Sequence, residues 1–281
     1  MAMLSIQTNV AALDAAMNVT STQGKLSNTI AQLSSGYRIN QASDDAAGLG
    51  ISEGLEANIA QYTQAAQNTT DGQSVVQTAS SALTEVNNIL TRMSSLAMEA
   101  GNSDVNSSTT ADANVTTEFN QLVTELTRIN NDTSFNGTGL FTGGINAPTG
   151  FTFQVGIGST PANDTIAFTT FGVDATTLAV TGLTLTDNTT AEAALTAINA
   201  AIGSVSVDQA NLGAVSEQLS SASNTIAQAS QSVSAADAGY RDVNVATASA
   251  NLSQEQVLEQ SGIAVLASAN QMPQMALKLL G

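Results

Sequence analysis

Side-chain catalysis needs a nucleophile, a base and a group to orient them, and this chain is poorly stocked with all three. Its 281 residues include no His and no Cys, which removes imidazole bases, thiol nucleophiles, disulfides and Cys/His zinc sites. Asp44 and Asp45 form the one adjacent acidic pair. Neighbours in a helix point in different directions, so these carboxylates do not converge on one substrate. Their expected use is helix capping, or ion pairing with Arg38 or with another copy. The run Gly137-Thr138-Gly139-Leu140-Phe141-Thr142-Gly143 has the glycines of a phosphate loop but neither its spacing nor its strand-turn-helix frame. No catalytic, cofactor or metal residue is assigned, and the chain is expected not to be an enzyme.

Bases are scarce: Lys and Arg total 6 against 23 Asp and Glu, a net charge of −17. Nucleic acid is an unsuitable partner for such a chain, because that binding rests on bases neutralising phosphates. An Arg among so many acids can fork to a carboxylate. Arg38 and Arg241 are therefore expected at a domain junction or a contact between copies. Arg92 and Arg128 are expected in intramolecular or solvated positions.

The elements available to place these groups are long helices. Ile6, Val10, Leu13 and Met17 step by four, three and four residues, as do Leu26, Ile30, Leu33 and Tyr37. Near the other end Leu258, Gly262, Val265, Ala269, Met272, Ala276 and Leu279 alternate steps of four and three, the mark of a single helical face. Residues 1–36 carry only Asp14 and Lys25 as charges, and residues 243–281 only Glu255, Glu259 and Lys278. Their remaining polar groups are neutral amides and hydroxyls, which cost little to bury once paired. These ends read as helices meant to be surrounded by protein. The chain supplies only the two ends, so most of that surround is expected from other copies.

Between the ends, Val76, Ala79, Leu83, Val86, Leu90, Met93 and Ala97 alternate strictly by three and four. A second helix is expected through Val115, Phe119, Leu122, Leu126 and Ile129, and a third through Leu195 to Val205. After a phase slip, the stripe resumes at Leu212, Val215, Leu219, Ala222, Ile226, Ala229 and Val233, long enough to lie antiparallel against 76–97. Residues 140–186 form a small β region, with strands at 151–155 and 166–171, a loop at 156–164 and a third short strand at 180–186. Gly36 is expected to stop the first helix and Ser43 to cap the next. Ala235 to Tyr240 would cross back to the terminal part, and Pro273 would interrupt or kink the last helix.

The fold class expected is mostly α: an elongated antiparallel helical rod or bundle with coiled-coil-like terminal helices and a small β-hairpin region at mid-sequence. A helix of 36 residues would span roughly 54 Å. The terminal domain is expected at 1–42 and 236–281, and the helical rod domain at 43–235. No basic and apolar leader opens the chain, and no window approaches 18 apolar residues, so neither a cleaved signal nor membrane insertion is expected.

Leu33-Ser34-Ser35-Gly36-Tyr37-Arg38-Ile39-Asn40, followed by Ala42-Ser43-Asp44-Asp45-Ala46-Ala47-Gly48, resembles the signature of bacterial flagellin. Asn68 to Gly72, Asn130 to Gly137 and Leu212 to Val215 are similar to further blocks of that family. So is the ending, from Arg241-Asp242 to Val245 and on through Asn251-Leu252, Val265 to Gln271, Pro273 and Leu279-Leu280. The likeness covers nearly the whole chain and is weakest at 140–195.

The resemblance implies a short flagellin without large outer domains, a structural subunit that polymerises helically with other copies into the filament that propels swimming. The alternative it leaves is a hook-filament junction protein. It implies no cofactor, and an extracellular place in the flagellum, reached by the flagellar type III route. The implied partners are the export apparatus, an export chaperone, and the filament cap and hook-junction proteins. Filament packing would fall to Ile6, Val10, Leu13, Met17, Leu26, Ile30, Leu33, Leu258, Val265, Ala269, Met272 and Leu279, lining an inner, lumen-facing domain. Gly36, Arg38, Asn40, Asp44, Asp45, Arg241 and Asp242 match the domain junction, where Gln32 stands in a place often held by Arg. Residues 90–97 match the segment read by a flagellin-sensing Toll-like receptor, with Arg92 and Leu96 as candidate contacts. Ser94 and Ser95 replace a common Arg and Glu there, which argues against strong immune sensing.

Overall fold

A computed structural model describes residues 8–102, 109–142, 150–169 and 171–280, without the side chains of 109–112 and 274–280. The described residues form α1 (Val10–Ser35), α2 (Ala46–Ala100), α3 (Thr109–Asp132), β1 (Ser134–Phe135), β2 (Thr138–Gly139), β3 (Gly150–Gln154), α4 (Pro161–Asp164), β4 (Thr165–Thr169), α5 (Asn188–Arg241) and α6 (Val245–Leu280). The described residues are mostly helical, with two small antiparallel hairpins, β1-β2 and β3-β4. It divides into two compact units, one of Met1–Ile59 with Ser232–Gly281 and one of Ala60–Gln231.

The second unit holds the apolar core. Every residue of the expected stripe from Val76 to Ala97 is buried there. It meets Phe119 and Leu126 of α3, and Ile198, Val205, Leu212 and Leu219 of α5, in one continuous cluster. Contacts at both ends set α2 and α5 antiparallel within this unit. Asn188 Nδ2 donates to Gly101 O at 2.7 Å, and Leu219 reaches the α2 backbone at Gly72.

The β3-β4 hairpin pairs Phe151 with Phe168 and Phe153 with Ile166. Phe151, Phe153 and Phe168 stack on one another, with ring centroids 5.3–6.4 Å apart. Asn136 and Gly137 both take positive φ, 51° and 78°, in the two-residue turn joining β1 to β2, which is why an Asn-Gly pair stands there. Buried Asn130 ties the following segment to α3 by accepting from Val173 N at 3.0 Å.

Several local expectations change. Residues 180–186 form turns and irregular chain rather than a third strand, and the expected loop at 156–164 ends in the short helix α4. α5 begins at Asn188 and runs unbroken through the supposed phase slip to Arg241, so only Asp242, Val243 and Asn244 cross to α6. Pro273 lies inside α6, which continues to Leu280. By length, and with an 18-residue window of mean hydropathy 1.2, α5 would pass for a membrane span. Its apolar stripe instead packs in the core of the second unit.

Candidate functional site

The terminal helices pair with each other inside the first unit. Asn9 caps α1 and also donates from Nδ2 to Ala269 O at 2.7 Å. Gln23 donates to Glu259 at 3.2 Å, and Val19 lies against Gly262, where a Cβ would come within 2.8 Å of Val19 Cγ2. These contacts run in opposite directions along the two helices, so the pair is antiparallel.

Small and polar residues, with a few leucines, form its seam. Ala15 and Thr29 of α1 are buried, as are Ala248 and Ala269 of α6, with Leu252, Glu255, Glu259, Gly262 and Leu266 half-buried between them. Glu255 Oε2 is buried with no hydrogen-bond partner. Close approach through Gly and Ala brings the backbones together but removes little apolar area from water.

Val19, Leu26, Leu252 and Leu266 are partly buried apolar side chains of the pair, and many other large ones lie outward. Val10, Leu13, Met17 and Ile30 are exposed on α1, as are Val257, Leu258, Ile263, Val265 and Met272 on α6, Leu13 at 57% and Val265 at 59%. Leu26 and Leu33 are half-buried. Of the expected packing residues, Ala269 is buried and faces its own chain. Ile6 and the Leu279 side chain lie outside the described residues.

At one end of the pair the chain changes direction through a short backbone ladder. Gly36 ends α1 in the left-handed region, φ 80°, and its N–H donates to Gln32 O. Tyr37 therefore leaves the helical stripe and bridges antiparallel to Asp242. Val243 N donates to Gly36 O at 2.9 Å, and Arg38 N to Arg241 O at 2.6 Å. The Arg38 guanidinium adds a bond to Tyr240 O at 2.7 Å. Arg241 stacks over the Tyr37 ring, 4.3 Å from its centroid, and ion-pairs with Glu56.

The acidic pair divides its labour. Asp44 Oδ2 accepts from Asn40 N and Gln41 N, closing the turn. Asp45, not Ser43, caps α2 by accepting from Gly48 N at 2.9 Å, since the helix starts at Ala46. Buried Ser52 donates to Asp237 at 2.5 Å, joining the start of α2 to the end of α5. Gly36 and Arg38 thus meet the 241–243 segment, while Asn40, Asp44 and Asp45 are tied locally in the turn that leads into α2. Ser52, Glu56 and Asp237 join this junction, and Asn9 the opposite end of the helix pair, without having been singled out. For Asn9 the signal was available: an Asn ahead of an apolar periodic run is a capping pattern.

The other two Arg residues stay within the second unit. Arg92 forks to Glu118 at 2.7 and 3.0 Å. That hydrogen bond, more than the charge alone, holds the Glu118 carboxyl below its ordinary pKa. Arg128 grips Glu125 and Asp132 along α3. Leu96 is 1% exposed and belongs to the core, so of the two candidate receptor contacts only Arg92 is presented at the surface.

The family model of the bacterial flagellin N-terminal helical region matches residues 6–146, and that of the C-terminal helical region matches residues 195–280. The chain belongs to the bacterial flagellin family. A flagellin of Halalkalibacterium halodurans is 36% identical over 98% of this chain and 99% of its own length. One from Bacillus subtilis is 34% identical over 99% of this chain and 100% of its own length. A flagellar filament 33 kDa core protein of Treponema phagedenis is 31% identical over 98% of this chain and 99% of its own. Membership in the flagellin family makes the chain a structural filament subunit, and nothing favours the hook-filament junction reading.

Proposed function

We propose that the outward apolar faces of α1 and α6 are the surfaces through which copies of this flagellin pack into its filament. One observation carries the reading: the terminal helices pair through a partly buried seam yet leave Val10, Leu13, Met17, Leu258, Val265 and Met272 exposed to solvent. Neighbouring copies would cover those side chains. Heterologous contacts of this kind propagate without closing and so grow a helical tube.

Energetics favour folding coupled to assembly. Ordering the backbone costs about 1–2 kcal/mol per residue, and a seam whose only buried side chains among the described residues are Ala15, Thr29, Ala248 and Ala269 returns little of it. The ends of a free copy are therefore proposed to be disordered until a neighbour supplies the missing faces. Residues 1–42 and 236–281 would form the inner, lumen-lining domain and residues 43–235 the surrounding shell, with Gly36, Arg38, Asn40, Asp44, Asp45, Arg241 and Asp242 as the junction.

Export by the flagellar type III route to the cell exterior, with an export chaperone, a filament cap and hook-junction proteins as partners, belongs to the same reading. Arg92 is the remaining candidate for receptor contact. A structural role of this kind needs no catalytic residue.

Met17→Glu and Val265→Glu test the assembly surface, because each would place a charge in an apolar contact between copies. Neither should form filaments by electron microscopy at concentrations where the parent polymerises, while melting of the second unit stays unchanged. Filaments at parental yield from both variants would overturn the proposal.

A further inference from the structure

We infer that Asn9 and Pro273 form a latch that closes the far end of the terminal helix pair. The near end already has a fastening, the backbone ladder between Gly36, Arg38, Arg241 and Val243. From there α1 runs back 26 residues to its cap, where Ala12, Ala15 and Ala269 supply little apolar area to hold the two helices together.

Pro273 creates the opening for a fastener. In an α-helix the carbonyl of each residue accepts the N–H four positions on, and proline has none to give. Pro273 therefore leaves Ala269 O without its usual partner, and Ala269 is buried against α1. An unmet buried carbonyl is costly. The Asn9 side chain supplies the missing donor from 260 residues away, at 2.7 Å.

Asn is the residue that suits both halves of this task. Its Oδ1 accepts from Ala12 N at 3.2 Å as the cap of α1, which fixes the side chain and presents Nδ2 to Ala269. The reverse orientation of the amide would set oxygen against oxygen and N–H against N–H. Asp would cap equally well but has nothing to donate. No other proline stands in α6, so the freed carbonyl occurs once along that helix, opposite the cap.

The latch rests on the assembly reading only in that the helix pair is studied in the filament. Hydrogen exchange on filaments of the full chain separates the two ideas. Asn9→Asp keeps the cap and removes the donor. It should raise exchange about tenfold at 10–16 and 262–269, the change expected when one buried hydrogen bond is left unmade, with 28–35 and 246–252 unchanged. Pro273→Ala gives Ala269 O an intrahelical partner, so in that background the effect of Asn9→Asp should fall below about threefold.

A uniform rise at both ends, no rise, or an equal effect in both backgrounds would overturn the latch. Should Asn9→Asp alone fail to polymerise, the double variant must restore filaments, and its failure to do so would also overturn it. Parental filaments unprotected along both terminal helices would instead overturn the pairing in the filament, and the latch with it.

Discussion

A methyl group added at Gly72 would meet Phe153 at 3.1 Å and Leu219 at 3.3 Å, so this position in the middle of α2 is set by contact, not by helix propensity. Phe153 has little room to yield, being stacked against both Phe151 and Phe168 on the hairpin. Gly72→Ala should therefore destabilise the second unit by about 1–2 kcal/mol, the cost of overpacking. Gly203 and Gly213 of α5, where an added Cβ would meet nothing within 4 Å, should respond in the opposite sense. Alanine there should add about 0.5–1 kcal/mol by removing glycine's entropy loss. Urea denaturation of the full chain measures all three. Asp208 gives a pH-dependent case on the same helix. Burial alone pushes its carboxyl above the ordinary value, so its charged form is disfavoured in the fold, and that deficit vanishes as pH falls and the group is protonated in both states. Asp208→Asn should accordingly raise the denaturation midpoint at pH 7 and give no gain below pH about 3.9, the ordinary Asp pKa. A gain of equal size at pH 3 would show that charge is not the cause.

Elements were legible wherever one helical face carries the whole core. The Val76 to Ala97 stripe and the Val115 to Ile129 stripe emerge as buried faces of α2 and α3, with only Leu122 partly exposed. The supposed phase slip in α5 has a plain cause: Asp208 stands three residues after Val205 and four before Leu212, on the seam itself, so one charged residue broke the pattern without breaking the helix. The segment 180–186 misled in another way, since alternating apolar residues there bury Leu185 and Val180 from an irregular chain. In the terminal helices periodicity located the helices but not which face meets which. The intrachain seam mixes Leu252 and Leu266 with Ala, Gly, Thr and Glu, which carry little hydrophobic signal, while stronger apolar residues lie outward. The junction was visible as scarce Arg and paired Asp, whereas its partners Ser52 and Asp237, 185 residues apart, share no local pattern. Asn130 shows what such long-range polar ties do for irregular elements. Asn130→Ala should leave Val173 N–H unmet in the buried segment after β4 and cost about 1–3 kcal/mol, read by urea denaturation together with faster exchange at 173–180. Unchanged exchange there would mean that packing of Val173 and Val180 alone holds the segment.

At the scale of the whole molecule the balance of charge governs how copies meet. Of the six bases, Arg92, Arg128 and Arg241 are already engaged with carboxylates of their own chain, and Arg38 with the Tyr240 carbonyl. Few cations therefore remain to bridge one copy to the next, while every added copy brings a net charge of −17. Packing such chains side by side gathers like charge, opposing the apolar contacts of α1 and α6. Exposed charges are screened beyond about 10 Å at 0.1 M salt and beyond about 30 Å at 0.01 M. Filament growth from seeds should thus accelerate with sodium chloride from about 0.01 to 0.5 M, and the concentration needed for growth should fall. Neutralising exposed Asp71 and Glu217 as Asp71→Asn and Glu217→Gln should shift that dependence to lower salt without altering the unit's melting by more than about 0.5 kcal/mol. Growth that slows with added salt would have the opposite meaning: attraction between ion pairs on neighbouring copies would then outweigh the repulsion, and the scarce bases would have to be sought at those contacts after all.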